Sequence, residues 1–163
     1  MQEDIDRRAH KLIGKRAKRV PAHNLHITLA FLGSVPREQR ECYEQAAAGI
    51  QIQSFTLSLE HIGHWPLPRI LWLGASQQPE ALLMLVHNLS AALSACGFTP
   101  EIRPYHAHLT LARKVDRPLP VRSIKPIDWE VDSFALIESV TAPEGPRYQV
   151  LERWPLRRTP TDA

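Results

Sequence analysis

His108-Leu109-Thr110-Leu111-Ala112-Arg113 contains the pattern His-x-Thr-Leu-Ala, which occurs a second time in this chain as His26-Ile27-Thr28-Leu29-Ala30. Two copies of this pattern within 163 residues are not expected by chance. Because alternate side chains of a β-strand share a face, each copy directs its His and Thr to one side and its apolar residues to the other. The repeat therefore predicts two strands, each with a polar pair on one face and an apolar core face.

The repeated His and Thr suit acid-base chemistry on a bound anion. A neutral imidazole accepts a proton and a protonated one donates it near neutral pH, so His26 and His108 together can do both. The hydroxyls of Thr28 and Thr110 can donate hydrogen bonds to an anion, for which phosphate is the natural candidate. One His-x-Thr is more often a surface or satisfied core pair. A structural repeat, however, does not require both copies to keep the same titratable residue and hydroxyl.

At these motifs the sequence resembles the two-histidine (2H) phosphoesterases, and within them the bacterial RNA 2′,3′-cyclic phosphodiesterases historically called 2′-5′ RNA ligases. The matching stretches are residues 24–33 (NLHITLAFLG) and 106–113 (HAHLTLAR). Weaker matches are residues 68–74 (PRILWLG) and 145–148 (GPRY). The resemblance extends from about residue 20 to residue 156, and its paired motif is specific.

The resemblance implies an enzyme that hydrolyses RNA 2′,3′-cyclic phosphate ends to 2′-phosphomonoesters. In this mechanism His26 is the proton donor, His108 is the proton acceptor, and Thr28 and Thr110 hold the phosphoryl oxygens. The mechanism needs no metal and no other cofactor, and the implied partner is RNA or an oligonucleotide with a cyclic phosphate end. The reverse type of reaction, 2′-5′ RNA ligation, stays open, because the sequence does not give the direction used in the cell.

Two further residues are candidate substrate ligands. A basic residue after the second motif is common in the family, which makes Arg113 a candidate phosphate ligand. Regular strand alternation, however, gives it the face of Leu109 instead of that of His108. Contact with the phosphate therefore requires a bulge or a strand that ends at Ala112. Tyr148 resembles a family position near the site.

The order of predicted elements indicates an α+β fold with antiparallel pairing. With one motif strand in each half, the resemblance implies two pseudo-symmetric lobes, each an antiparallel sheet with flanking helices, that face each other across a central groove. We expect one such domain over residues 1–163. Family members usually open with an apolar strand, whereas this chain starts with Met1-Gln2-Glu3-Asp4. We therefore expect that strand to be absent and one sheet edge to be left unpaired.

Hydrophobic periodicity and turn residues predict the individual elements. Residues 3–19 form a charged helix with one basic face, which is either a solvated surface or a contact for a phosphate backbone. Gly97 ends the most apolar helix. The expected strands are 24–32, 55–60, 69–73, 98–103, 108–113, 130–140 and 147–154, the expected helices are 36–48 and 80–96, and residues 116–126 are expected to form a proline-spaced loop.

Composition sets the class of protein. A hydrophobic content of 44% over 163 residues is enough for one domain with a real core. There is no run of about 18 apolar residues and no basic-then-apolar leader, so we expect no membrane span and a cytoplasmic location. We also expect a monomer. A formal charge of +3 and a pI near 9.1 favour a polyanionic partner.

The cysteines and aromatic residues give smaller expectations. Cys42 and Cys96 lie in predicted helices without a metal or redox spacing, so we expect buried free thiols in a reducing compartment. Phe31 and Trp72 are expected in the core. Trp65 lies in a proline-flanked segment and is the more exposed candidate for stacking on a base.

Two other functions compete with cyclic phosphate hydrolysis. A metal-dependent phosphohydrolase could use the His-x-His pair of His106 and His108, with ligands added from other histidines, although no Asp or Glu accompanies them at a recognisable catalytic spacing. A non-catalytic RNA-binding module would keep the basic surface without turnover. A chelator tests the first alternative, and substitution of His108 tests the second.

Overall fold

The computed structural model describes Ile5, residues 17–143 and residues 145–158. The predicted opening helix and the expected absence of a first strand concern mainly residues outside these ranges. At its end the helix prediction is wrong, because Lys18 and Arg19 are extended and pair with a strand of the sheet. No helix among the described residues is long and apolar enough to cross a bilayer.

Within the described ranges, helices and strands follow one another in mixed order, which confirms the α+β class. The helices are a 3₁₀ helix at Ala22–Asn24, α1 at Arg37–Ala48 and α2 at Glu80–Ser94. The strands are β1 Lys18–Arg19, β2 Phe55–Trp65, β3 Ile70–Gly74, β4 His108–Arg113, β5 Arg122–Val131, β6 Ser133–Ala142 and β7 Gly145–Pro155.

The second motif forms an inner strand of the main sheet. This five-stranded sheet has the order β1-β4-β3-β2-β5, and β4 pairs antiparallel with both β1 and β3. Strands β2 and β3 pair antiparallel as a hairpin. Strands β6 and β7 form a separate antiparallel pair. The arrangement of two lobes facing across a groove, within a single domain, stays a prediction.

The chain divides into two compact units, and the first comprises Met1–Thr28, Leu57–Gln78 and His106–Trp129. Its core is made by alternate residues of the sheet, of which Leu71, Leu73 and Leu109 are almost fully buried. Each such side chain contributes about 1.5–3 kcal/mol on burial. Because neighbours on a strand point to opposite faces, burial of Leu109 directs His108 and Thr110 away from this core.

The second unit comprises Leu29–Thr56, Pro79–Tyr105 and Glu130–Ala163. Helices α1 and α2 bury Tyr43, Leu85, Leu89 and Leu93 in one cluster with residues of the β6–β7 segment. Helix α2 ends at Ser94, and the predicted stop residue Gly97 closes the turn that follows it, with a φ of 87° that glycine adopts without strain.

Cys42 and Cys96 form a disulfide within this second unit, so the prediction of free thiols is wrong. Their Cα atoms lie 5.8 Å apart although 54 residues separate them in sequence. Helix α1 packs against α2, which brings the two cysteines together. Sequence spacing carries no information about this approach.

Three further predictions of local structure are wrong. Residues 24–32 form no regular strand, because the 3₁₀ helix runs to Asn24 and only Ile27 makes an isolated bridge. Residues 98–103 are not a strand either. The expected loop at 116–126 overlaps β5, which contains Pro126. This proline is tolerated because β5 lies at the edge of the sheet, where a missing N–H leaves no ladder partner unsatisfied.

Candidate active site

Strand β4 presents His108 and Thr110 side by side on one face of the sheet. Both side chains are half-buried, whereas Leu109 between them is 1% exposed. Across the strand pair, Gly74 lies opposite His108 and Trp72 lies opposite Thr110. The second predicted motif therefore has the alternation that its sequence indicates.

The first motif joins the same strand through one bridge, an antiparallel contact between Ile27 and Leu109. Ile27 lies between His26 and Thr28, and Leu109 lies between His108 and Thr110, so the bridge joins the centres of the two motifs. The structure thus brings the first motif beside the second within the first unit.

The 3₁₀ helix brings the first motif to this edge of β4. Strand β1 pairs with the end of β4, and the Val20 N–H donates to the Leu111 carbonyl at 2.9 Å. The chain then leaves the sheet through Ala22–Asn24 and returns at Ile27 to the same edge. Because the segment is too irregular for a strand, sequence periodicity alone could not give its path.

The imidazole of each motif forms a hydrogen bond with the main-chain carbonyl two residues upstream of it. His26 Nδ1 lies 2.7 Å from the Asn24 carbonyl oxygen, and His108 Nδ1 lies 3.0 Å from that of His106. A carbonyl only accepts, so Nδ1 carries the proton in each ring. In the neutral form Nε2 is then the basic nitrogen, and in the charged form Nε2 is the acid. Each ring therefore offers the same nitrogen for proton transfer.

Gln78 fixes the segment that carries the second of these carbonyls. Its side-chain oxygen accepts the Ala107 N–H at 2.7 Å, and its amide nitrogen lies 3.5 Å from His106 Nδ1. Since the His106 carbonyl orients His108, Gln78 acts as a positioning residue for the imidazole. No sequence pattern indicates this role, because Gln78 lies far from the motif along the chain.

Trp65 and Trp72 form an aromatic wall beside His108. The Trp65 ring meets the His108 ring with centroids 4.7 Å apart, and it lies 5.5 Å from the Trp72 ring. A Cβ at Gly63 would overlap the Trp72 indole, so only glycine leaves room for it. Both tryptophans are half-buried. The expected core position of Phe31 is wrong, because its side chain is 79% exposed where the predicted strand alternation is absent.

A register shift in β4 changes the face of Arg113. Trp72 pairs with Thr110 but Leu71 pairs with Ala112, so Leu111 is an extra residue. Leu111 and Ala112 are both buried, and Arg113 is exposed. This is the burial expected of a bulge, which returns Arg113 to the face of Thr110. Strand alternation therefore does not exclude Arg113 from the polar face.

Tyr148, the other predicted ligand, belongs to the second unit. It lies on β7 opposite Ser139 of β6 and is half-buried. The structure of that unit by itself gives no link to the four motif residues, so a role for Tyr148 stays a prediction.

Two other histidines of the first unit, His61 and His64, have partners of their own. His64 is buried, and its Nε2 donates to the Val115 carbonyl at 3.1 Å. His61 lies 3.3 Å from the Ser123 hydroxyl and 3.4 Å from the Glu60 carboxylate. Across residues 17–143 and 145–158, no three His, Cys, Asp or Glu side chains are grouped as metal ligands would be.

Comparison with known proteins identifies the family. The family model of the 2′-5′ RNA ligase superfamily matches residues 1–142. The RNA 2′,3′-cyclic phosphodiesterase of Escherichia coli is 37% identical over 84% of this chain and 78% of its own length, and the enzyme of that name from Thermus thermophilus is 34% identical over 86% and 76%. The crystal structure of E. coli LigT complexed with 3′-AMP superposes with a TM-score of 0.85 at 34% identity, over 95% of this chain and 90% of that one. These matches confirm the resemblance seen in the two motifs, and the chain belongs to the 2′-5′ RNA ligase superfamily.

Proposed function

We propose that this chain is an RNA 2′,3′-cyclic phosphodiesterase that opens terminal cyclic phosphates with water and leaves 2′-phosphomonoester ends. The observation that carries the proposal is the Ile27–Leu109 bridge, which joins the residue between His26 and Thr28 to the residue between His108 and Thr110. The curated relatives with this name, at 30–37% identity over most of the chain, support the same activity.

The proposed reaction uses two proton transfers on one phosphorus atom. His108 Nε2 takes a proton from water, whose oxygen forms a bond to phosphorus. The bond from phosphorus to the ribose O3′ breaks, and His26 Nε2 gives its proton to that oxygen. Departure of O3′ leaves the phosphate on O2′. Each acid or base contributes roughly 10²–10⁴ to the rate.

Thr28 and Thr110 would donate hydrogen bonds to the non-bridging phosphoryl oxygens. We expect each hydroxyl to face the other motif's imidazole, so that an anion accepting hydrogen bonds from both threonines would lie between the two rings. Hydrogen bonds to a charged oxygen are roughly twice as strong as neutral ones. Arg113 and Tyr148 would bind other parts of the substrate.

The substrate would be RNA or an oligonucleotide with a 2′,3′-cyclic phosphate end. Replacement of water by a ribose hydroxyl gives 2′-5′ RNA ligation, which we propose as a reverse activity of the same residues. We also expect a cytoplasmic monomer that needs no metal or other cofactor.

The test is incubation of the purified chain with a short RNA that ends in a 2′,3′-cyclic phosphate, with the product assigned as a 2′- or 3′-phosphate. We expect the 2′-phosphate, with turnover unchanged by a chelator. A 3′-phosphate would overturn the proposed departure of O3′, and loss of turnover with chelator that a divalent metal restores would favour the metal-dependent alternative.

Substitution of one histidine separates catalysis from binding. His108→Ala should lower kcat/KM by about 10²–10⁴ while RNA binding changes little. His87→Ala is the matched control, because His87 is exposed on α2 in the second unit. A wild-type chain that binds the RNA without hydrolysing it would instead be a binding module.

A further inference from the structure

Lys18 of β1 lies directly opposite Arg113 of β4 in the antiparallel register. Directly opposite residues share a face of the sheet, with Cβ atoms about 4.5–5.5 Å apart. Both side chains are exposed. Two long cationic side chains therefore project from paired positions on one face of the sheet.

This pair carries no compensating charge in the part of the chain that the structure describes. Neither Lys18 nor Arg113 makes an ion pair or hydrogen bond with a described carboxylate. The nearby Arg69 does have one, since it donates to Asp116 at 2.9 Å. Like charges directly opposite each other destabilise a strand pair. An anion held by both cations would remove that repulsion.

Because of the bulge at Leu111, this cationic pair lies on the same face of the sheet as the candidate active site. Without the bulge, Arg113 would share the core face of Leu109. With it, Arg113 follows Thr110 on the polar face, and Lys18 does so as its cross-strand partner. Three residues of strand span about 10 Å at most, so the two positions are close enough to bind one short ligand.

We propose that Lys18 and Arg113 bind a second phosphate of the substrate, the phosphodiester on the 5′ side of the terminal nucleotide. This inference rests on the proposed function. A 2′,3′-cyclic phosphate is itself the 3′ end of the RNA, so any neighbouring phosphate belongs to the preceding linkage. The preferred substrate is then an oligonucleotide with at least one internal phosphodiester, and a cyclic mononucleotide lacks the group that this pair binds.

The experiment compares kcat/KM for three substrates. They are adenosine 2′,3′-cyclic phosphate, a diadenosine with a normal linkage and a terminal cyclic phosphate, and the same diadenosine with an uncharged methylphosphonate linkage. The wild-type chain should prefer the normal diadenosine by roughly threefold to tenfold, and the uncharged linkage should remove that preference. Equal kcat/KM for the two diadenosines would overturn the proposal.

Substitution of Lys18 tests the residue itself. Lys18→Gln should remove most of the preference through KM while leaving hydrolysis of the mononucleotide unchanged. The slope of log K against log salt for binding of a single-stranded oligonucleotide should fall by about 0.7, the value for one phosphate contact. Arg122→Gln is the matched control, because Arg122 is an exposed cation on β5 at the other edge of the sheet.

The outcomes separate this inference from the proposed function. If no cyclic phosphate is opened, the function fails, and the salt dependence of oligonucleotide binding decides the inference alone. Lys18→Gln and Arg122→Gln with the same salt slope as the wild-type chain would then overturn it. If all substrates are opened and Lys18→Gln lowers kcat/KM equally for each, the function stands and the second phosphate site does not.

Discussion

The indole of Trp65 meets the imidazole of His108 edge to face, at an interplanar angle of 70° and a centroid distance of 4.7 Å. With its Nδ1 bonded to the His106 carbonyl, the His108 ring is held on two sides. A hydrogen bond alone permits rotation about its own axis, and contact with a second ring restricts that rotation. The two contacts together define the direction of Nε2.

Removal of the Trp65 ring should therefore reduce turnover more than binding. An aromatic contact of this kind contributes about 0.5–1.5 kcal/mol, which corresponds to roughly a twofold to tenfold change in rate. We expect Trp65→Ala to lower kcat by that factor with KM little changed, and Trp65→Phe to restore most of it. A change in KM alone, measured on the cyclic phosphate substrate, would show that Trp65 contacts substrate instead.

The pH dependence of kcat/KM should be bell-shaped. The proposed reaction needs His108 neutral and His26 protonated at the same time, so activity falls at acid pH as the base is protonated and at alkaline pH as the acid is lost. Initial rates on a cyclic mononucleotide across this range provide the measurement. A profile with only one limb would mean that one histidine is not an acid or base.

Glu60 should make the stability of the first unit depend on pH. Burial of the Glu60 carboxyl opposes ionisation, but hydrogen bonds from Ser76 and the nearby His61 outweigh it and lower its pKa below the ordinary value. A lowered folded-state pKa stabilises the fold above the unfolded-state pKa, and this stabilisation is lost as pH falls through the folded-state value.

Glu60→Gln gives the measurement for this effect. We expect the variant to melt at a lower temperature than the wild-type chain at neutral pH, and the difference in Tm to shrink as the pH is lowered into the range where the wild-type carboxylate is protonated. A difference in Tm that is constant over this range would show that loss of packing, not of charge, causes the destabilisation.

The disulfide between Cys42 and Cys96 should stabilise the folded chain. It closes a long loop, with a sequence separation of 54 residues, and cross-links of this kind contribute about 2–4 kcal/mol. Reductant should lower the free energy of unfolding by that amount, measured with denaturant. Below the unfolding transition kcat/KM should change little, because the four motif residues belong to the other unit.

A double variant provides the control for the disulfide. Cys42→Ala together with Cys96→Ala should unfold at the denaturant concentration of the reduced wild-type chain and should not respond to reductant. Equal stability of the oxidised and reduced wild-type chains would contradict the prediction.

The sequence predicted well those elements whose pattern is local. Strict alternation of polar and apolar residues from His108 to Leu111 predicted β4, and the apolar stripe of α2 with Gly97 after it predicted that helix and its end. Both patterns follow from contacts within one element or across one face. They hold because tertiary packing agrees with them.

The first motif shows the limit of such patterns. Its residue types match those of the second motif, yet within it only Ile27 forms a bridge to the sheet. Leu29 packs against the core of the second unit. The same alternation cannot reveal that the chain passes from one unit to the other directly after Thr28. Sequence patterns likewise do not predict long-range contacts, such as that of Trp65 with His108.

The Nδ1 hydrogen bonds of His26 and His108 are accepted by main-chain carbonyl oxygens, which every residue type has. Substitutions at positions 24 and 106 alter side chains but leave the acceptor in place. The backbone conformation therefore determines the tautomer of each imidazole, and substitutions at these two positions do not change it. An insertion or deletion that changed the two-residue spacing between carbonyl and ring would break it.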